Sequence, residues 1–250
     1  MCAVVVLFVL LGSAPRAFAA DMTTEISGPQ DEPSTVWGRL GRDLAAPFSG
    51  DGLNFLVVGS ALSLASYSMK PYGRDLASDR PLGSTSKFGY QLGFWKTDAI
   101  YIGGLGLWSL LMKDGKASHD ALFALRATVY TALATEGIKS LRLEDRPRGR
   151  GEMNSFPSGH SSNSFALAGS IVRNHGWAVG GPAMAIATFV AVSRVNDNAH
   201  YIHDVVFGAT LGLSYSFGLD TEWTWKGHRS ISLVPGVSGD SVGMNATIKF

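Results

Sequence analysis

The sequence predicts an all-α fold, a helical bundle of about six core helices, followed by a short C-terminal β-hairpin tail. Three observations predict it. Apolar and small residues run in stretches of 14 to 24 residues, separated by breaks of Gly, Pro and charge. Charged residues are 16% of the chain and hydrophobic residues 46%, against a usual charged share of about 25%. That balance fits tightly packed helices, in water or in lipid. Over the last nine residues the period shortens to two, the signature of a strand.

The first 19 residues read as a signal peptide outside the fold. Ala3 to Leu11 is a short apolar run, and Ala17-Phe18-Ala19 places small residues where signal peptidase needs them. No Lys or Arg precedes the run, a feature that also fits an N-terminal anchor. Cleavage after Ala19 removes Cys2, the single cysteine. A disulfide, a thiol nucleophile and a thiolate metal site are then excluded. Residues 20–50 form an N-terminal arm, polar and flexible over Asp21 to Pro33. Residues 51–220 hold the core domain and 221–250 the tail.

Within the core, Leu53 to Ser68 reads as a helix, and Pro71 to Lys87 as a loop. Asp98 to Met112 is a second helix, its acidic start and basic Lys113 end matching the helix dipole. Ser118 is expected to cap a longer helix reaching Leu141. Arg142 to Pro157 is a loop rich in Arg, Gly and Pro. Helices follow over His160 to Arg173, Pro182 to Val195 and Tyr201 to Leu219. Gly208 and Gly212 in the last one permit close helix contact. In the tail, Val242, Met244, Ala246, Ile248 and Phe250 alternate with polar or small residues, and Ser230 to Val234 can pair with them.

Net charge is +1, so no global basic field points to nucleic acid. Three short motifs carry the chemistry: Lys139-x6-Arg146-Pro147, Pro157-Ser158-Gly159-His160, and Ser193-Arg194-x5-His200-x3-Asp204. Eleven fixed positions in this order almost never coincide by chance at roughly 5% usage per residue type. Together they resemble the tripartite signature of the type 2 phosphatidic acid phosphatase (PAP2) superfamily, which includes bacterial acid phosphatases and vanadium haloperoxidases. The resemblance is anchored in Lys139 to Asp204 and implies a helical phosphatase domain over 51–220.

The residue types suit phosphoryl transfer on their own terms. A phosphoryl group in flight spreads negative charge over its oxygens, so catalysis needs positioned cationic donors. Lys139, Arg146 and Arg194 supply them, the arginines as planar forks. Ser158 and Gly159 sit where a loop enters a helix, and free backbone N–H groups there favour an anion. His200 and Asp204 are four apart; if the helix begins near His200 they share one face, and the carboxylate can then accept from one ring nitrogen and leave the other as nucleophile. His160 then acts as general acid and base. The resemblance implies the same roles for these positions.

Neighbouring residues carry blander readings. Glu136 is a helix partner for Lys139. Asp197 turns the chain. His203 points elsewhere on its helix and is read as structural. His119, His175 and His228 receive no role, and Trp177, Trp223 and Trp225 read as core or docking aromatics. No carboxylate cluster or zinc spacing appears, so neither metal nor cofactor is expected. The expected function is metal-independent hydrolysis of a phosphomonoester, a lipid phosphate, pyrophosphate or soluble phosphorylated small molecule, through a phosphohistidine on His200. The alternatives are a vanadium haloperoxidase using the same anion pocket and a non-catalytic phosphate-binding membrane protein. The expected location is the periplasm after export, with possible membrane contact. An integral membrane bundle is the alternative, held back because the apolar stretches fall short of the ~20 residues of a full span.

Overall fold

The computed structural model describes residues 36–71, 78–149 and 151–220, together with the backbone of 230–238 and 241–249. The expected signal peptide and the flexible stretch to Pro33 lie outside the described residues. The chain divides into two units at Leu219/Asp220, each described by itself.

The first unit is all helix: α1 (Val36–Leu44), α2 (Gly50–Tyr67), α3 (Ser86–Leu92), α4 (Trp95–Met112), α5 (Gly115–Lys139), α6 (Gly159–His175), α7 (Trp177–Asn196) and α8 (Ile202–Gly218). The six long ones are those expected from the apolar stretches. Two short helices were not: α1 falls within the expected arm and α3 overlaps the expected loop. Both are too short for periodicity to declare them. The Arg126 fork holds α1 to α5, with Nε 2.8 Å and a terminal nitrogen 2.6 Å from the two Asp43 carboxylate oxygens.

Two helix starts differ from expectation. Asp114, not Ser118, caps α5, accepting from Lys116 N at 2.9 Å and Ala117 N at 3.2 Å. A carboxylate at that end also answers the helix dipole. Helix α7 begins at Trp177, so Pro182 lies inside it. There it can give no N–H to the carbonyl four residues back.

Helix α8 runs through the middle of the bundle and packs on α2, α5, α6 and α7. Phe165, Val205, Ala209 and Leu213 are buried at its contacts with the neighbouring helices, each large side chain there contributing about 1.5–3 kcal/mol by leaving water. Gly208 and Gly212 let α6 lie directly on it. A Cβ at Gly208 would stand 2.6 Å from the Ser158 carbonyl oxygen, and one at Gly212 2.4 Å from that of Ser162.

The outer faces carry many exposed large apolar side chains. On α2, Leu53, Val57, Val58 and Leu64 are exposed; on α4, Ile100, Leu107, Trp108, Leu110 and Leu111; on α5, Leu122, Leu125, Val129 and Leu133. Ile100 is 76% and Leu110 80% exposed. Among the described residues, Trp177–Asn196 is the one helix long and apolar enough to cross a bilayer by length and composition.

The second unit is an antiparallel hairpin of β1 (Ser230–Ser238) and β2 (Ser241–Lys249), with Ile231 opposite Ile248 and Leu233 opposite Ala246.

Candidate active site

His200 occupies the short connection between α7 and α8. Asn198 takes a left-handed φ of 53°, a conformation Asn tolerates, and Ala199 N bonds back to the Arg194 carbonyl at 3.1 Å. This tight turn sets His200 against the loop ahead of α6. The imidazole is buried, and its Nδ1 lies 2.7 Å from the Ser155 carbonyl oxygen. A carbonyl only accepts, so Nδ1 carries the proton and Nε2 keeps its lone pair.

Asp204 Oδ2 stands 3.5 Å from the same Nδ1, so the expected contact of the two residues is present but long. The carboxylate's shorter bonds hold the surroundings. Oδ2 accepts from Ser155 Oγ at 2.6 Å and from Tyr201 N at 2.8 Å. Asp204 thereby caps its own helix and ties down the residue whose carbonyl orients His200. Burial pushes the His200 imidazole below its ordinary range, with Asp204 pulling the other way.

The second motif meets the third through backbone. Ser158 N donates to the Asp204 carbonyl at 3.0 Å, and Ser161 Oγ to that of Val205 at 2.6 Å. Ser158 is fully buried and its Oγ accepts from Ser161 N at 3.4 Å, so it serves as the N-cap of α6. Lys139, the last residue of α5, brings its ammonium over the same helix start: a Cβ on Gly159 would lie 3.1 Å from Lys139 Nζ. Glu136 partners that ammonium at 3.3 Å.

Arg146 is fixed by Asn154 Oδ1 at 2.7 Å and Glu152 Oε2 at 3.2 Å, and reaches the Ala199 carbonyl at 3.4 Å, one residue before His200. Arg194 is buried, pairs with Asp197, and sets its guanidinium 5.2 Å from the Tyr90 ring centre. Asp197 therefore does more than turn the chain. His160 opens α6 with its ring 4.9 Å from Tyr90 and 6.3 Å from Phe94. Arg194, Lys139, Arg146 and His200 all act on it electrostatically. His160 Nε2 and Arg194 Nε are buried with no hydrogen-bond partner among the described residues. All eight residues singled out from the motifs thus gather at one end of the bundle.

Three contributors lie outside the fixed motif positions. Ser155 supplies the carbonyl to His200. Tyr90, on the short helix α3, lies against both His160 and Arg194. His203 turns its Nε2 to within 3.2 Å of Asp204 Oδ1 and 2.6 Å of Glu144 Oε2. A cavity of about 350 Å³ lies beside His203, between α2, the 143–156 loop and α8. Among the described residues, Glu144, His203 and Asp204 also form the one group whose ligand atoms lie within 4.8 Å of one another, as a metal ion would need. Lys70 already supplies a positive charge there, paired with Glu144.

In fold, the chain is similar to a transmembrane PAP2 type phosphatidylglycerolphosphate phosphatase from Bacillus subtilis, with a TM-score of 0.53 and 21% identity over 70% of this chain and 92% of the other. In sequence, it is 36% identical over 65 residues to a lipid A 1-phosphatase of Porphyromonas gingivalis. That match spans 24% of this chain and 14% of the relative's length. Residues 132–226, which contain all three motifs, match the PAP2 superfamily.

Proposed function

We propose that the chain is a phosphatase that hydrolyses a lipid phosphomonoester through a phosphohistidine on His200, without a metal ion. The observation that carries the reading is the 2.7 Å contact of His200 Nδ1 with the Ser155 carbonyl, from which the tautomer follows. With Nδ1–H committed to the Ser155 carbonyl, Nε2 is available to a phosphorus atom. Its attack forms the N–P bond as the P–O bond to the leaving group breaks. His160, in its protonated form, gives the departing alkoxide its proton. The substrate's negative charge favours that form. His160 then takes a proton from water, hydroxide attacks phosphorus, and the N–P bond breaks to release phosphate and neutral His200. Lys139, Arg146 and Arg194 hold the phosphoryl oxygens throughout.

The lipid substrate is inferred from the outer surface. Exposed Leu, Ile and Val on α2, α4 and α5 form an apolar surface that water disfavours and a bilayer accepts. Helix α7, 20 residues long and apolar, reaches ~30 Å, the thickness of a hydrocarbon core. The similar Bacillus protein is described as transmembrane, and both relatives are named as lipid phosphatases. We therefore read the chain as a membrane-embedded enzyme, the alternative weighed from the sequence, in place of a soluble periplasmic one.

The test is phosphate release by the full chain in detergent with EDTA, on a lipid phosphate and on a soluble phosphoester, beside His200→Ala. Turnover in chelator that is lost in the variant, with the lipid preferred, supports the reading. Loss in chelator restored by magnesium or zinc overturns the metal-free mechanism, and equal activity of His200→Ala overturns the nucleophile.

A further inference from the structure

Asp204 is fully buried, and only one of its carboxylate oxygens is accounted for by the His200 side of the site. Oδ1 has no standard hydrogen bond among the described residues. Its neighbour is His203 Nε2 at 3.2 Å, and the same nitrogen lies 2.6 Å from Glu144 Oε2. Both neighbours are carboxylate oxygens, which accept, so Nε2 must carry a proton shared between them. Glu144 gives its other oxygen to the Lys70 ammonium. Charge therefore alternates outward from the nucleophile: Asp204, the His203 N–H, Glu144, Lys70.

The His203 ring is held as firmly as its partners. It is buried, stacks on Tyr201 at 5.5 Å, and has Tyr67 at 4.9 Å and Phe156 at 6.0 Å. Ser63 Oγ donates to its carbonyl at 3.0 Å. Lys70 lies over the rings of Tyr67 and Tyr201, at 4.1 and 4.8 Å. Ser63, Tyr67 and Lys70 belong to α2 or its C-terminal end, far in sequence from the three motifs.

We propose that His203 is a positioning residue for phosphoryl transfer: it fixes the Asp204 carboxylate through Oδ1, backed by Glu144 and Lys70, while Oδ2 holds the Ser155 segment that orients His200. The proposal rests on the phosphatase reading above. A histidine that merely filled space would not need two carboxylates at one nitrogen. An apolar ring of similar size would leave a buried oxygen unpaired and the carboxylate free to rotate. Rotation would release Ser155 Oγ and Tyr201 N, and with them the carbonyl against His200.

The experiment compares His203→Phe, His203→Gln and Glu144→Gln in the full chain in detergent, on phosphatidic acid and p-nitrophenyl phosphate. His203→Phe should lower kcat on the order of 10- to 100-fold on both substrates, the scale of a small misplacement of reacting groups, with KM little changed. His203→Gln, whose amide N–H can reach Asp204, should recover most of that loss, and Glu144→Gln should fall between. A kcat for His203→Phe within twofold of the parent overturns the proposal. So does a Gln variant no better than Phe when both melt cooperatively. If Phe does not fold, Gln and Glu144→Gln decide it by the same kcat-against-KM criterion. A second readout needs no turnover. In 15N-histidine NMR, His200 should be the Nδ1–H tautomer in the parent and a mixture in His203→Phe or Glu144→Gln; an unchanged tautomer in both overturns the proposal. An inactive parent would overturn the phosphatase reading instead, and the tautomer measurement would still decide this one.

Discussion

Ser155 and His200 meet through a main-chain carbonyl and a ring nitrogen, 2.7 Å apart, closer than the 3.5 Å between that nitrogen and Asp204. The carbonyl sets the tautomer, and the carboxylate sets the carbonyl. Asp204→Asn should therefore fold but lower kcat on the order of 10²- to 10⁴-fold, since a neutral amide neither anchors Ser155 Oγ as strongly nor stabilises the cation formed on His200. Single-turnover phosphate release checks it.

Ser155→Ala keeps the carbonyl and removes the hydroxyl bonded to Asp204 at 2.6 Å. The expected cost is about 1.5–3 kcal/mol of stability, the range for a hydrogen bond to a charged group. Denaturation of the variant beside the parent measures it.

On the proposed mechanism, His160→Ala removes the proton donor but leaves the nucleophile. Turnover should fall on the order of 10²- to 10⁴-fold. A substrate with a leaving group that needs no protonation should still label His200, so acid-labile 32P should accumulate on the protein. Absence of label with such a substrate would contradict the division of labour between the two histidines.

Burial holds the His200 pKa below its ordinary value, which is ~6.5. The unfolded chain then binds a proton near pH 6.5 that the folded chain refuses. Stability should be unaffected by this group above that pH and should decline as pH falls below it, until the folded-state pKa is passed. The acid limb of kcat/KM assigned to His200 should likewise lie below pH 6.5. Melting temperatures and rate profiles between pH 5 and 8 test both, and His200→Ala should remove this contribution from each.

Gly208→Ala would place a methyl 2.6 Å from the Ser158 carbonyl. Neither backbone can yield without shifting a motif, so a loss of about 1–3 kcal/mol is expected, with kcat reduced alongside it. A calorimetric scan and an activity assay on one preparation suffice.

The motif residues were legible because each is a side chain chosen for what it can donate, accept or carry. Ser155 was not legible, since every residue has a carbonyl and only the fold chooses which one faces His200. His203 was expected to point elsewhere because it lies one place before Asp204, about 100° around the helix axis. Its ring returns to Asp204 only because the 143–156 loop brings Glu144 there. Helix α3 was hidden by its seven-residue length. The apolar stretches foretold the helices but not which faces stay exposed, because lipid and protein interior select the same side chains.

Where α6 crosses α8, bare backbone touches bare backbone at Gly208 and Gly212. No side chain there can flip aside and let the two helices drift apart by degrees. The Ser158–His160 start of one and the His200–Asp204 segment ahead of the other are keyed together like parts of one casting. Heating should therefore leave the catalytic end intact until the bundle itself comes apart, with activity and tertiary structure vanishing in a single transition.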